Sequence, residues 1–177
     1  MRPTPLRVAA AALAVVITAL CFVVLDPVSS AIVGALGCVV LVVISVSDLE
    51  TRRVPNRIVV PALGAVLVAR TVIDPSLEWL LGALLAGGTL FVFAVIYPAG
   101  LGMGDVKLGA FLGAWLGWNG VLALVLGSFA AFVPALGILV VRGRAGRKVA
   151  LPFAPFLAFG GIVTLLAGPD LVDWYLS

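Results

Sequence analysis

Asp48 and Asp105 are the residues of this sequence whose surroundings most invite chemistry, and a carboxyl pair suits hydrolysis with water as the nucleophile. Asp48 closes a long apolar run, where the negative end of a helix dipole and a low-dielectric environment both disfavour a carboxylate. Something should offset that penalty. Beside Arg52 and Arg53 it could also be a plain interfacial residue, and position alone leaves both readings open. Asp105 ends Gly100-Leu101-Gly102-Met103-Gly104-Asp105, and the simplest structural role for it is a helix N-cap. G-x-G-D is weak evidence by itself. The glycines would, however, let backbone approach another segment closely and tolerate unwound geometry at a wet, protein-lined site. Histidine is absent, which removes the commonest general base and metal ligand. Two carboxyl groups sharing one proton remain capable of the work: one takes a proton from water, while the other polarises a carbonyl and then protonates the leaving amine. Such a pair needs no metal and no cofactor, and neither is expected.

The elements that must position these residues are membrane helices. Of 177 residues, 63% are hydrophobic and 11% charged, too few polar side chains to cover a water-soluble surface. With no repeat, linker tract or long loop, a single integral membrane domain over residues 1–177 is expected, with 1–26 an extra N-terminal helix and 27–168 the core. Apolar stretches of crossing length predict spans Val8–Leu25, Pro27–Ser47, Trp79–Tyr97 and Val149–Gly168, and a shorter one from Ile58 to Ile73 in which Arg70 must snorkel. The uncharged run Leu108–Val141 is 34 residues, about 51 Å as one helix, and should break near Gly117-Trp118-Asn119-Gly120 into spans Asp105–Gly117 and Val121–Val141. The fold class is therefore all-α, a polytopic transmembrane bundle of about seven helices. Cys21 and Cys38 lie in apolar runs without C-x-x-C spacing and are read as small packing residues.

Ten of the eleven basic residues fall on one side of this topology: Arg2, Arg7, Arg52, Arg53, Arg57, Lys107, Arg142, Arg144, Arg147 and Lys148. Basic residues near short loops stay in the cytoplasm, which places the amino terminus, Asp48 and Asp105 at the inner face of a cytoplasmic membrane. The first span could instead be a signal peptide, given Arg2, Arg7 and the small residues Ser29 and Ala31, although its apolar run is longer than usual for one.

Two segments, Asp48-Leu49-Glu50-Thr51-Arg52-Arg53-Val54-Pro55-Asn56 and Gly102-Met103-Gly104-Asp105-Val106-Lys107-Leu108, resemble the signatures of bacterial type IV prepilin peptidases, which are G-x-G-D aspartyl proteases. Ala150-Leu151-Pro152-Phe153-Ala154-Pro155-Phe156-Leu157 is also similar to a segment of that family. The resemblance implies Asp48 and Asp105 as catalytic aspartates, and a substrate with a basic leader followed by a prepilin or pseudopilin helix. Gly102, Gly104, Lys107, Pro55 and Asn56 are carried along as supporting motif residues. Longer members of the family carry a cytoplasmic insertion with paired cysteines and also methylate the new amino terminus. The loop after the first helix is short here, so no methyltransferase activity is expected.

Around this pair, Pro55-Asn56 reads as a turn with Asn56 capping the third helix. Lys107 serves as an anchor, or holds a carboxylate or the substrate backbone. Gly109, Gly113 and Gly117 form a small-residue stripe for close helix packing. Glu50 is a weak candidate for attracting a basic leader, and Pro152 with Pro155 should kink or unwind the cytoplasmic end of the seventh helix. Rival functions are a small transporter or channel using intramembrane carboxylates, a non-catalytic secretion-system protein, and an intramembrane protease for another substrate class. The partners expected are the substrate helix and the lipid bilayer, with no nucleic acid; the sequence carries no signal for oligomeric state.

Overall fold

A computed structural model describes residues 4–98, 100–143 and 151–176, with side chains described as far as residue 167. Seven α-helices follow one another: α1 Pro5–Val24, α2 Val28–Thr51, α3 Asn56–Ile73, α4 Glu78–Ile96, α5 Met103–Leu116, α6 Asn119–Arg142 and α7 Ala154–Leu176. No strand occurs among the described residues. A chain this apolar must pair its backbone groups within each segment, and helices do so locally. Five of the helices (α1, α2, α3, α4 and α6) are long and apolar enough to cross a membrane. Exposed Val15, Val23, Phe93, Val133 and Val141 on their outer faces suit contact with lipid, and the chain is a multi-pass membrane protein.

The expected break of the long apolar run falls at Gly117, whose φ of 61° lies where a side chain would be strained. Three boundaries differ from expectation by a full turn or more, one of them the end of α7, which runs to Leu176 and not to Gly168. Helix α2 continues one turn past Ser47 to Thr51 and stops at Arg52, which takes a left-handed conformation while its N–H donates to the Asp48 carbonyl at 2.8 Å. Helix α7 starts at Ala154 rather than Val149, so Pro152 precedes it and Pro155 is its second residue. Of the two effects expected of the prolines, the structure shows the unwound end, with residues 151–153 non-helical, and not a kink, because a first-turn proline such as Pro155 removes an N–H that has no intrahelical acceptor anyway. Residues 144–150 lie outside the described part of the structure, and with them Arg144, Arg147, Lys148 and the expected start at Val149.

Helix α5 is the post around which the bundle is built, packing against α3, α4, α6 and α7. Its Leu108, Phe111, Leu112 and Trp115 are essentially fully buried. The Trp115 indole stacks near Phe111, donates to the Val33 carbonyl at 3.1 Å, and lies over Gly37 of α2. Backbones touch where glycines meet: a Cβ on Gly82 would lie 2.5 Å from the Gly113 carbonyl oxygen, and one on Gly120 would lie 2.6 Å from Gly113 Cα. This is the small-residue packing read from the sequence, with α4 and α6 both drawn onto α5. Gly117, the last of the stripe, serves the turn instead.

Arg70 does not snorkel away. Its Nε donates to the Trp115 carbonyl at 3.1 Å and its guanidinium sits 4.7 Å from the centre of the Trp79 ring, so the cation caps the C-terminal turn of α5. Glu78 adds a second tie there, its carboxylate accepting from the Trp118 N–H at 3.3 Å. Helix α1 packs mainly on α2, with the buried thiols of Cys21 and Cys38 3.9 Å apart in the seam.

Candidate active site

Asp48 lies in the last turn of α2 and is only 5% exposed; Asp48 and Thr164 are the only buried polar side chains among the described residues. The penalty for a carboxylate at a helix C-terminus is offset from another helix. The N–H of Ala154, the first residue of α7, donates to Asp48 Oδ2 at 3.1 Å, so the positive end of one helix meets the carboxylate at the negative end of another. Asp105 occupies the third position of α5, not the N-cap expected for it. The N-cap is Gly102, and Asp105 Oδ2 reaches back to accept its N–H at 3.2 Å, half of a capping box. Each aspartate is thus held by an N–H at the start of a helix, Asp105 by its own and Asp48 by a distant one.

The two side chains open onto one cavity of about 270 Å³ between the ends of α2, α3 and α5. Gly102, Gly104, Lys107 and Asn56 line the same cavity, so the structure brings together every motif residue except Pro55, which is the N-cap of α3 beside it. The cavity wall also includes Arg52, Arg53, Val54 and Met103, none of which the sequence had singled out for the site. Asn56 does not cap α3. As its first residue it turns outward, and its Oδ1 accepts from Lys107 Nζ at 2.8 Å, tying the start of α3 to the first turns of α5. Lys107 is therefore engaged with an amide, not with either carboxylate.

Of the two motif glycines, only Gly104 is required by space: a Cβ there would lie 2.7 Å from Val54 Cβ, whereas one on Gly102 would meet nothing closer than Asp105 Oδ2 at 3.5 Å. The missing side chain lets α5 press its N-terminus against the connector between α2 and α3, bringing Asp105 to the end of α2. Glu50 is not available to a basic ligand as expected, because Arg7 of α1 pairs with it through two hydrogen bonds of 2.8 and 3.0 Å. Among the described residues, no group of three or more His, Cys, Asp or Glu side chains could hold a metal. What the cavity offers chemically is a carboxyl pair from two helices, beside cationic side chains.

The sequence profile of the type IV leader peptidase family matches residues 35–140, a stretch that contains both aspartates and all of the cavity wall. The chain belongs to the type IV leader peptidase family. It is similar to leader peptidase HopD of Escherichia coli, 39% identical over 137 residues, with 68% of this chain and 86% of that protein covered. It is also similar to the prepilin leader peptidase/N-methyltransferases of Bacillus subtilis, 35% identical with 77% and 56% covered, and of Aeromonas salmonicida, 32% identical with 78% and 50% covered. The chain spans about half the length of relatives of this second kind. No solved structure matches it. Among members of the type IV leader peptidase family, the hydrogen bond from Ala154 to Asp48 is a feature that the family match, ending at residue 140, does not reach.

Proposed function

We propose that this chain is a membrane-embedded aspartyl endopeptidase that removes the basic leader of a prepilin or pseudopilin at the cytoplasmic face of the inner membrane, with Asp48 and Asp105 as its catalytic pair. The observation that carries this reading is that two carboxyl groups, 57 positions apart in the chain, line one small cavity, each held by a helix-start N–H. Two carboxyl groups in one partly buried cavity do not readily carry two charges, and a proton shared between them gives one base and one acid. The ionised partner takes a proton from water as its oxygen attacks the scissile carbonyl carbon. The protonated partner donates to the carbonyl oxygen. As the gem-diol intermediate collapses, one of its hydroxyl groups gives its proton back to the aspartate that had protonated the carbonyl oxygen, the C–N bond breaks and the amine leaves with the proton held by the other aspartate, so that one proton remains on the pair. The cytoplasmic placement rests on the clustering of basic residues at this end of the bundle, and names printed for the relatives, leader peptidase and prepilin leader peptidase, support the substrate class.

The test is co-expression with a prepilin from the same genome, scoring the leader-dependent mobility shift. Asp48→Asn and Asp105→Asn should each abolish cleavage, by at least about a thousandfold, while reaching the membrane in normal amount, since losing either partner removes the acid–base couple. Retained cleavage in either variant would remove the mechanism.

A further inference from the structure

Apart from the cavity that holds the aspartates, a lateral groove of about 660 Å³ runs between α4 and α6, two helices that pack tightly on α5 and α7 respectively but only lightly on each other. Its walls are mostly apolar: Phe93 from α4 and Phe129 and Phe132 from α6 line it, and among the described residues no charged side chain does. The Thr89 hydroxyl on its wall already donates to the Leu85 carbonyl at 2.7 Å. From Val121 to Phe132 the groove follows α6 for twelve residues, about 16 Å or three helical turns.

Its end near the aspartates is closed by Leu101 and Phe153. Leu101 immediately precedes Gly102, whose N–H holds Asp105, and Phe153 immediately precedes Ala154, whose N–H holds Asp48. The groove is thus linked to both aspartates through two short backbone segments, 101–102 and 153–154. A polypeptide with a bond at the aspartates and the rest of its length in the bilayer must become helical as it leaves the cavity, because hydrocarbon offers its N–H and C=O groups no other partners. The α4–α6 groove is an unfilled apolar channel whose wall includes the residues next to both of the N–H groups that hold the aspartates, whereas the cavity of similar size between α1 and α2 carries the Arg7–Glu50 ion pair on its wall.

We propose that the α4–α6 groove seats the first turns of an apolar substrate helix, so that the scissile bond is placed by docking of the membrane segment next to it. This rests on the peptidase reading above and adds the surface that recognises the helix. Packing of aromatic side chains against a helix in a groove supplies the affinity, as in other helix-in-groove recognition.

The experiment uses the full chain, with Cys21→Ala and Cys38→Ala, reconstituted with a polypeptide carrying a basic leader followed by an apolar helix of about 20 residues. Wild type is first scored for cleavage. If it cleaves none of several such substrates, the peptidase reading fails and the docking inference falls with it. If it cleaves, Ser128→Cys is combined with single cysteines walked along the substrate helix. Crosslinks within the first three turns that recur every three to four positions are the expected result. Crosslinks absent, or equal at every position, would overturn the inference while leaving the peptidase reading intact. A photoreactive group at Phe129 that labels lipid alone would do the same, assigning the groove to an acyl chain. As a second measure, Ser128→Trp fills the groove and should raise KM about tenfold with kcat within about threefold of wild type; an unchanged KM in a variant that inserts normally would also refute docking there.

Discussion

Gly102 and Gly104 look alike in the sequence, yet the structure gives them different burdens, and alanine at each position separates the two. A Cβ on Gly104 would meet Val54 Cβ at 2.7 Å, against the 3.4 Å at which such contacts become ordinary, a shortfall of about 0.7 Å. Neither atom is the far end of a flexible side chain, so the N-terminus of α5 has to back away from the α2–α3 connector by about that distance. Asp105 sits one residue further on and moves with it. A misplacement of about 1 Å can lower a rate about a hundredfold, so roughly a tenfold loss of kcat is expected for Gly104→Ala, near 1.4 kcal/mol in the barrier. Gly102→Ala, with φ at −84° and only ordinary contacts around the new carbon, should stay within about threefold of wild type. The assay is initial-rate cleavage of a prepilin in membranes, normalised to the amount of peptidase. Adding Val54→Gly to Gly104→Ala removes the obstructing carbon and should restore most of the lost rate. Wild-type turnover by Gly104→Ala, or equal impairment of both alanine variants, would refute the reasoning that packing against Val54 sets the position of Asp105.

Other expectations follow from the packing. Gly82→Ala and Gly113→Ala, each forcing backbones apart, should destabilise the detergent-solubilised protein by about 1–3 kcal/mol in thermal unfolding, whereas Gly88→Ala, which meets nothing within 4 Å, should be neutral or stabilising. Lys107→Ala and Asn56→Ala should show a coupling of about 1 kcal/mol in a double-mutant cycle of unfolding, because each removes the same 2.8 Å hydrogen bond; additive losses would mean that the bond is not formed in the bilayer. Glu50→Gln breaks a solvent-exposed pair with Arg7 and should leave both melting temperature and cleavage within error of wild type, while a marked loss of leader binding would return Glu50 to the substrate.

The helices were legible because apolar run length and charge position are properties of the sequence itself: the break at Gly117 and the seven-helix order followed from them. Asp48 was legible as a problem, a carboxylate where dipole and dielectric both oppose it. Its solution was not legible, because Ala154 lies 106 positions away and no local pattern says which helix start faces which helix end. A sharper clue was present in Pro155, since proline favours the first turn of a helix and marks a set of free N–H groups on the same face as Asp48. Asn56 was misjudged as a cap for a related reason, and the partners of Lys107 and Glu50 were not foreseen: long polar side chains take partners from elements that only the tertiary fold brings near. Arg70 shows the same limit, since a lone cation in an apolar helix can find an unpaired carbonyl as readily as it finds water.

Helix α5 has only 14 residues, about 21 Å of rise, while the hydrocarbon of an ordinary bilayer is about 30 Å thick. One of its ends carries Asp105 and the other is fastened by Arg70, so neither end tolerates being drowned in acyl chains. Because α3, α4, α6 and α7 pack around it, the shortfall of about 9 Å is taken up inside the protein: non-helical backbone at the ends of α5 is tolerated at membrane depth where neighbouring helices, and not acyl chains, surround it.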